Sequence, residues 1–300
     1  MNAQQRIHRA LESALVRGDA PGAPPRLGQA VRHAVFPGGA RIRPQLCIAV
    51  SMACGEDDPA IADGAAAAIE LLHCASLVHD DLPCFDDAEI RRGLPSVHVA
   101  FGERLAVLAG DALIVSAFET LAVGAACSPA RLAVLVGTIA SSVGRPFGIV
   151  AGQAWECEPR CVLTDYHRAK TGALFAAATM AGAQAAGADA RPWRALGESL
   201  GEAYQAADDI RDVVSDPKTL GKPVGRDVAL DRPSTAREYG LHEAIRQFDR
   251  LVADATAAIP ECPGAPHLRA LVKSEATRLV PASWCTDMDR VAGCGLSRAI

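Results

Sequence analysis

The chain has few aromatic residues and no stripe of basic residues. Aromatic side chains make up only 4% of its 300 residues, although half of all residues are hydrophobic. Alanine dominates this apolar set and few β-branched runs alternate with polar residues, so the composition favours helices over a sheet. The formal net charge is −5 and the Lys and Arg residues are scattered along the chain, which argues against nucleic acid as a partner.

Closely spaced cysteines and long Leu-rich or Ile-rich runs are also missing. The ten cysteines stand singly, without a Cys-x-x-Cys pair, and are expected to be reduced thiols of a cytoplasmic protein. The N-terminus has charges spread through it and no apolar core, so no secretory signal is expected. Residues 171–188 form a long uncharged window rich in Ala, Gly and Thr, which predicts a tightly packed internal helix rather than a membrane span.

Apolar residues at helical spacing cover most of the chain. They predict α-helices at residues about 3–17, 26–35, 42–54, 60–80, 103–124, 129–142, 171–187, 194–213 and 241–257. Gly and Pro clusters separate these segments, and there is neither a fixed-period repeat nor a low-complexity linker. The sequence therefore predicts one all-α domain over residues 1–300. The polar segment 215–236, rich in Gly and Pro, is expected to be an ordered or closing loop.

The end of the fourth predicted helix concentrates negative charge. Four aspartates occupy eight positions there: Asp80, Asp81, Asp86 and Asp87. At about 4 Å and an effective dielectric constant near 20, each carboxylate pair repels by about 4 kcal/mol, so a cation must neutralise them. On an undistorted helix Asp80 and Asp86 would lie about 240° apart. Pro83 is expected to distort the helix and bring Asp86 round to Asp80.

A second acidic cluster follows much later in the chain. In YQAADDIRD, Asp208 and Asp212 are one helical turn apart and share a face, with Asp209 beside them. Oxygen ligands select hard cations, and a few carboxylates per ion favour Mg²⁺ completed by water and phosphate oxygens. A single aspartate pair would be read as a solvated helix end. Two clusters on separate apolar helices, each followed by basic residues, predict cation-bridged binding of a phosphate.

Six motifs then identify a family. The segments GGARIRP, HCASLVHDD, IRRG, KTGALF, YQAADDIRD and GKPVGRD stand in the order and approximate spacing of the trans-isoprenyl diphosphate synthases, from about Ala30 to Gly240. The chain resembles that family, and most closely its bacterial geranylgeranyl diphosphate synthases of carotenoid biosynthesis. The resemblance implies an antiparallel helix bundle around a deep central cavity, a homodimer, and about three Mg²⁺ ions near the cavity mouth.

The resemblance also implies roles for individual residues. The metal ligands would be Asp80, Asp81, Asp86, Asp208, Asp209 and Asp212. The allylic diphosphate would be held by Arg91, Lys170, Gln205 and Lys222, and isopentenyl diphosphate by Arg43, His73 and Arg92. The Lys170 carbonyl and the Thr171 and Gln205 side chains would face the carbocation. The implied reaction joins isopentenyl diphosphate to an allylic diphosphate, up to farnesyl diphosphate, and yields geranylgeranyl diphosphate and free diphosphate.

The chain departs from the family pattern at three positions. Ala40 stands where a lysine is usual, so one contact to isopentenyl diphosphate is missing or is replaced by Arg41. Arg232 stands where a lysine of the later loop is expected, which preserves the charge and makes it a further substrate-binding candidate. Glu156 stands where an aspartate is usual.

Product length is predicted from the helix before the first acidic cluster. Ala75 lies five residues before Asp80, about 7–8 Å deeper along the helix. Family members that stop at C15 often carry an aromatic residue there, so alanine predicts a C20 product, with Phe118 as a candidate floor of the cavity. The alternative is that Ala75 only allows close helix packing.

Other interpretations stay open at this point. Within the family these are a farnesyl diphosphate synthase and a weakly active partner subunit of a heteromeric synthase. A di-iron carboxylate bundle is suggested by Glu70 and His73, although a second Glu-x-x-His is missing from the sequence. A helical metal-dependent phosphohydrolase is suggested by His73 and the His79-Asp80 pair. A terpene cyclase would seldom keep the second acidic motif together with GKPVGRD.

Overall fold

The computed structural model describes residues 1–36, 38–160, 162–214 and 240–280. Within these ranges the chain is almost entirely helical. The helices are α1 Ala3–Gly18, α2 Pro25–Val35, α3 Ile42–Ala53, α4 Pro59–Asp80, α5 Val97–Phe101, α6 Glu103–Gly124, α7 Pro129–Val143, α8 Ile149–Trp155, α9 Leu163–His167, α10 Ala173–Ala185, α11 Arg194–Val214, α12 Leu241–Ala257 and α13 Ala265–Leu279. A π-helical turn, Arg168–Gly172, joins α9 to α10, and a 3₁₀ turn, Arg191–Trp193, precedes α11. Two short strands, β1 Ile90–Arg91 and β2 Leu94–Pro95, pair antiparallel.

Helix α4 is the centre of the bundle. The Asp58 side chain caps its first turn by accepting a hydrogen bond from the Ala60 N–H, and Pro59 occupies the first helical position. Most of its residues are buried, and many of them are alanines that let neighbouring helices approach closely. Where α6 crosses α4, a Cβ added to Gly64 would lie 3.2 Å from the Gly124 Cα. Small residues therefore set the spacing of these two helices.

Helix α10 is the buried internal helix that the uncharged window predicts. Residues 174–179 and 181–183 of this helix are buried. A Cβ added to Gly182 would lie 2.9 Å from the Val50 Cβ of α3, so α3 and α10 pack in close contact. This packing brings the start of α3 and the start of α10 to the same end of the bundle.

Within the described ranges, two helices are long and apolar enough to cross a membrane by length and composition alone. They are α4, whose apolar window is 83% buried, and α6, whose window is only 39% buried. Burial explains α4 as a core helix. Helix α6 instead exposes apolar side chains, among them Val107, Leu108, Val115 and Val123.

The structure confirms the all-α class and the nine predicted helices, with small shifts at their ends. It adds α5, α8 and α9, which span five to seven residues and are too short to show a helical period. It also adds α13, whose polar sequence masks its apolar positions. One expectation is wrong in detail: Pro83 does not distort a continuing helix, because α4 ends at Asp80.

Candidate functional site

A cavity of about 530 Å³ opens at the end of the bundle where α4 terminates. Its wall is formed by the last turns of α4, the turn before α3, the loop after α4, α8 with the π-helical turn, and α11. Most of the site residues predicted within the described ranges lie on this wall. The clusters at residues 80–86 and 208–209, far apart in sequence, face the same cavity.

The first acidic cluster is built by a tight turn. The Asp86 N–H donates a 2.9 Å hydrogen bond to the Asp80 carbonyl, and the Leu82 carbonyl accepts from the N–H groups of Phe85 and Asp87. Asp87 adopts a left-handed φ of 46°, as the turn requires. The chain therefore folds back after Asp80 and brings Asp86 to it, as the sequence predicts, but through a turn.

Three carboxylates meet there. One oxygen from each of Asp80, Asp86 and Glu156 lies within 4.8 Å of the other two. Burial raises the pKa of the Asp80 carboxyl, repulsion from Asp86 adds to this, and the Lys170 ammonium opposes it. Three converging carboxylates with hard oxygen ligands suit Mg²⁺, so these residues fit the predicted metal. Glu156 enters the sequence analysis only as a departure from the family pattern; its position after Gln153 on α8 brings it to the cluster.

Asp81 lies elsewhere. It is only 2% exposed, and the Arg91 guanidinium donates to both of its oxygens, with Nε at 3.0 and 3.2 Å. Burial raises the pKa of the Asp81 carboxyl, against the hydrogen bonds from Arg91. The structure thus places Asp81 under Arg91, whose side chain lines the cavity, rather than among the three converging carboxylates.

The second acidic cluster lies on α11. Asp208 and Asp209 line the cavity, and the Gln205 Nε2 donates to the Asp209 Oδ1 at 3.0 Å. The Thr171 hydroxyl donates to the Gln205 Oε1 at 3.1 Å, which ties α11 to the start of α10. Asp212 lies in the last turn of α11, and its side chain falls outside the part that the structure describes.

Lys170 stands at the first acidic cluster. Its Nζ pairs with Asp80 at 3.5 Å and with Glu156, and the Tyr166 hydroxyl donates to the same Glu156 oxygen at 2.6 Å. The lysine sits in the π-helical turn, a feature often found at functional sites. A Cβ on Gly152 would lie 2.5 Å from the Lys170 N, so only glycine lets α8 approach this turn.

A second group of basic side chains lines the same cavity. The Arg43 guanidinium stacks on the Phe175 ring, with 4.3 Å between Cζ and the ring centroid. The Arg43 Nε and the Arg92 Nη1 are buried and have no hydrogen-bond partner among the described residues. Burial lowers the pKa of His73 well below its usual value, and the charges of Arg43 and Arg92 add to this. A buried N–H donor that lacks a protein acceptor indicates a site for an anion.

Arg41 does not replace the lysine that is usual at position 40, where this chain has alanine. Its guanidinium pairs with the buried Glu70 and donates to the Val35 carbonyl, and its backbone is left-handed with φ of 51°. The same pair commits the Glu70 carboxylate to a guanidinium. A di-iron site at Glu70 and His73 is therefore disfavoured.

The two predicted chain-length residues lie away from the wall. Ala75 is 1% exposed within the apolar core, and Phe118 packs against that core from α6; neither lines the cavity. Ser76 and Leu77, the next two residues after Ala75 on α4, do line the cavity, because they share a helix face with Asp80. Lys222 and Arg232 lie outside the described residues.

Sequence reasoning missed two further cavity residues, Arg211 and Arg278. Arg211 stands within the second acidic motif. Arg278 comes from α13, a helix that the sequence analysis does not predict, so its place depends on tertiary packing.

Comparisons with known proteins give the same relationship as the motifs. The chain is 54% identical to a geranylgeranyl diphosphate synthase of Cereibacter sphaeroides, over 93% of this chain and 97% of that protein. It is 48% identical to a geranylgeranyl diphosphate synthase of Rhodobacter capsulatus, over 92% and 98% of the two chains. A geranyltransferase from Helicobacter pylori, solved with magnesium and isoprenyl diphosphate, has a TM-score of 0.77 at 29% identity, covering 90% and 96% of the chains. Residues 24–263 match the family model described as polyprenyl synthetase, and this chain belongs to that family.

Proposed function

We propose that the chain is a geranylgeranyl diphosphate synthase, which joins isopentenyl diphosphate to allylic diphosphates up to farnesyl diphosphate and releases diphosphate. The observation that carries this proposal is the pairing of two acidic clusters with two partnerless guanidinium N–H groups around one cavity. The names of the two relatives at 54% and 48% identity support the same product.

The acidic clusters would hold the metal. We assign Asp80, Asp86 and Glu156 to one side and Asp208, Asp209 and Asp212 to the other, with about three ions in all, as the resemblance implies. Mg²⁺ bound there supplies Lewis-acid stabilisation of the charge on the departing diphosphate. Asp81 acts through Arg91, since its carboxylate fixes that guanidinium at the cavity wall.

The residues of the chain then bind and orient the two substrates. Arg91, Lys170 and Gln205 hold the allylic diphosphate. Lys222 is assigned to it, and Arg232 to substrate binding, from the motifs alone. Arg43, Arg92 and the neutral His73 hold isopentenyl diphosphate, because their N–H groups supply donors for phosphate oxygens.

The oxygen dipoles of the Lys170 carbonyl and of the Thr171 and Gln205 side chains stabilise the allylic carbocation as its C–O bond breaks. The double bond of isopentenyl diphosphate attacks this cation, and the released diphosphate takes the proton that is lost. Water has to be kept from this cation, because water would quench it.

We propose a C20 product, with Ser76 as the wall residue that decides how far the chain grows. A farnesyl diphosphate synthase is the alternative within the family. A weakly active partner subunit is the other alternative, and it is disfavoured because the wall keeps repulsive carboxylates that a purely structural subunit has no need for.

We further propose that residues 1–300 form one domain and that the enzyme is a cytoplasmic homodimer. The exposed apolar side chains of α6 support a dimer, since a lone soluble chain seldom leaves such a face uncovered. Val115→Asp on this face should therefore give a monomer in sedimentation velocity, whereas Glu119→Asp, one turn along, should not. Free thiols at the cysteines of the described residues support a reducing compartment.

The test of function is a product assay. Purified protein with Mg²⁺, labelled isopentenyl diphosphate and a C5, C10 or C15 allylic primer should yield a C20 prenyl diphosphate. A C15 end product would favour the farnesyl alternative. Release of phosphate or pyrophosphate without any new carbon–carbon bond would indicate a phosphohydrolase and contradict the proposal.

A further inference from the structure

The isopentenyl diphosphate side of the cavity lacks a lysine at position 40, and Arg41 is bound to Glu70. The cavity wall contains another cation beside those assigned above, Arg278 at the end of α13. We propose that Arg278 binds the diphosphate of isopentenyl diphosphate in the place that Ala40 leaves unfilled. This inference rests on the proposed function.

The packing of α13 on α3 fixes where Arg278 lies. At the start of α13, a Cβ added to Gly264 would lie 2.5 Å from the Ala53 Cα at the end of α3. Seven residues further along α13, Leu271 packs against the cluster formed by Ile42, Leu46 and Phe175, which includes the start of α3. The two helices are therefore antiparallel.

The antiparallel packing carries the end of α13 to the cavity. Another seven residues, about 10 Å along α13, lead from Leu271 to Arg278. This step runs toward the turn before Ile42, the first residue of α3, and that turn contains Gly39 and Ala40. Gly39, Ala40 and Arg278 all line the cavity, as this alignment requires.

Arg211 holds the end of α13 in this place. Its Nε donates to the Leu279 carbonyl at 3.1 Å and its Nη2 to the Arg278 carbonyl at 3.4 Å. These are terminal carbonyls of a helix, which have no partner within the helix and which make that end repel anions. The Arg211 guanidinium satisfies them and offsets their negative charge. Because Arg211 belongs to α11, it also fixes Arg278 relative to Asp208.

The present partner of Arg278 is easily displaced. The Arg278 side chain is 45% exposed and pairs with Glu275 at 2.9 Å, three residues back on the same helix. Exposed pairs of this kind are weak. A diphosphate carries more charge than one carboxylate and accepts charge-assisted hydrogen bonds, so it can take Arg278 from Glu275.

The test is the Michaelis constant for each substrate in Arg278→Gln. The KM for isopentenyl diphosphate should rise about tenfold, as expected for one lost charge-assisted contact, while the KM for farnesyl diphosphate and kcat stay close to wild type. The matched control is Arg269→Gln, a partly exposed arginine of α13 that pairs with Glu261 and does not line the cavity. It should leave both constants unchanged.

Two further variants separate binding from folding. Ala40→Lys in the Arg278→Gln background should recover most of the loss, because it restores a cation to the same place. Arg211→Leu should raise the KM for isopentenyl diphosphate more than the KM for farnesyl diphosphate, since it releases the end of α13. An unchanged KM in Arg278→Gln, or an equal rise for both substrates, would overturn the inference. A wild-type enzyme without prenyl transfer would instead overturn the proposed function.

Discussion

Replacing Arg43 by methionine should weaken substrate binding and leave the stability of the empty fold nearly unchanged. Methionine keeps the unbranched stem that packs on Phe175 but removes the guanidinium and its buried, partnerless Nε. An arginine placed for structure alone would be expected to lose stability on this change. An arginine positioned to bind an anion has an unsatisfied N–H donor while the anion is absent, and this donor destabilises the empty fold.

The two effects can be sized. A hydrogen bond between charged partners contributes about 1.5–3 kcal/mol, so the KM for isopentenyl diphosphate should rise about 10-fold to 150-fold. Leaving a donor buried and unsatisfied costs about 1–3 kcal/mol, and a cation–π contact in a desolvated site contributes about 2 kcal/mol. The two terms nearly cancel, so the unfolding temperature without ligand should stay within about 2–4 °C of wild type.

Steady-state kinetics with varied isopentenyl diphosphate and a thermal unfolding scan without ligands measure the two quantities. Arg194→Met is the control, because Arg194 is exposed and pairs only with Glu198 among the described residues. It should change neither quantity appreciably. An Arg43→Met enzyme with a lower unfolding temperature and an unchanged KM would refute the assignment of Arg43 to substrate.

Three other changes test separate parts of the site. Ser76→Phe should shift the product toward C15. Ala75→Phe should overpack the core, lower stability by about 1–3 kcal/mol and leave product length unchanged. The reverse pattern in product sizing would make Ala75 the residue that determines product length. Glu156→Gln should raise the Mg²⁺ concentration for half-maximal activity about tenfold, and Glu158→Gln, just beyond the cluster, is the control. The same half-maximal Mg²⁺ concentration in both variants would show that Glu156 does not bind the metal. The pKa of His73 is lowered in the folded chain, so below about pH 6.5 the unfolded chain binds a proton that the folded chain does not, and stability is lost as pH falls. In urea unfolding at pH 5.5, His73→Gln should avoid about 1.4 kcal/mol of this loss. An identical pH dependence in both proteins would contradict a neutral imidazole at His73.

Much of the fold could be predicted because the helices carry local signals. The periodic segments 60–80 and 103–124 correspond to α4 and α6, whose ends coincide with Pro, Gly or Asp punctuation. Helix α13 was not predicted because its apolar residues are interrupted by charged ones, and it is held by packing against Ala53 and the cluster of Ile42, Leu46 and Phe175.

The site residues also divide into those that local sequence signals predict and those that depend on tertiary packing. Asp80, Asp86 and Asp208 could be assigned because carboxylates concentrated on apolar helices conflict with burial unless a cation binds them. The sequence did not allow a correct choice between two adjacent residues of α4 for the one that faces the cavity. Ala75 and Ser76 are neighbours in sequence, but a turn of 100° per residue sends one into the core and the other to the cavity.

Glu156 and Arg278 show the limit of sequence spacing. Glu156 reaches Asp80 only because Gly152 lets α8 approach the π-helical turn, and Arg278 reaches the wall only because α13 runs antiparallel to α3. Both placements depend on tertiary packing between segments that are distant in the chain.

The most direct test of the central claim is a crystal structure with Mn²⁺ and inorganic pyrophosphate, recorded at the manganese absorption edge. The account predicts anomalous peaks within coordination distance of Asp80 and Asp86 on one side and of Asp208 on the other, with pyrophosphate bridging the ions. Pyrophosphate bound by arginines alone, with neither acidic cluster coordinating a metal, would contradict it.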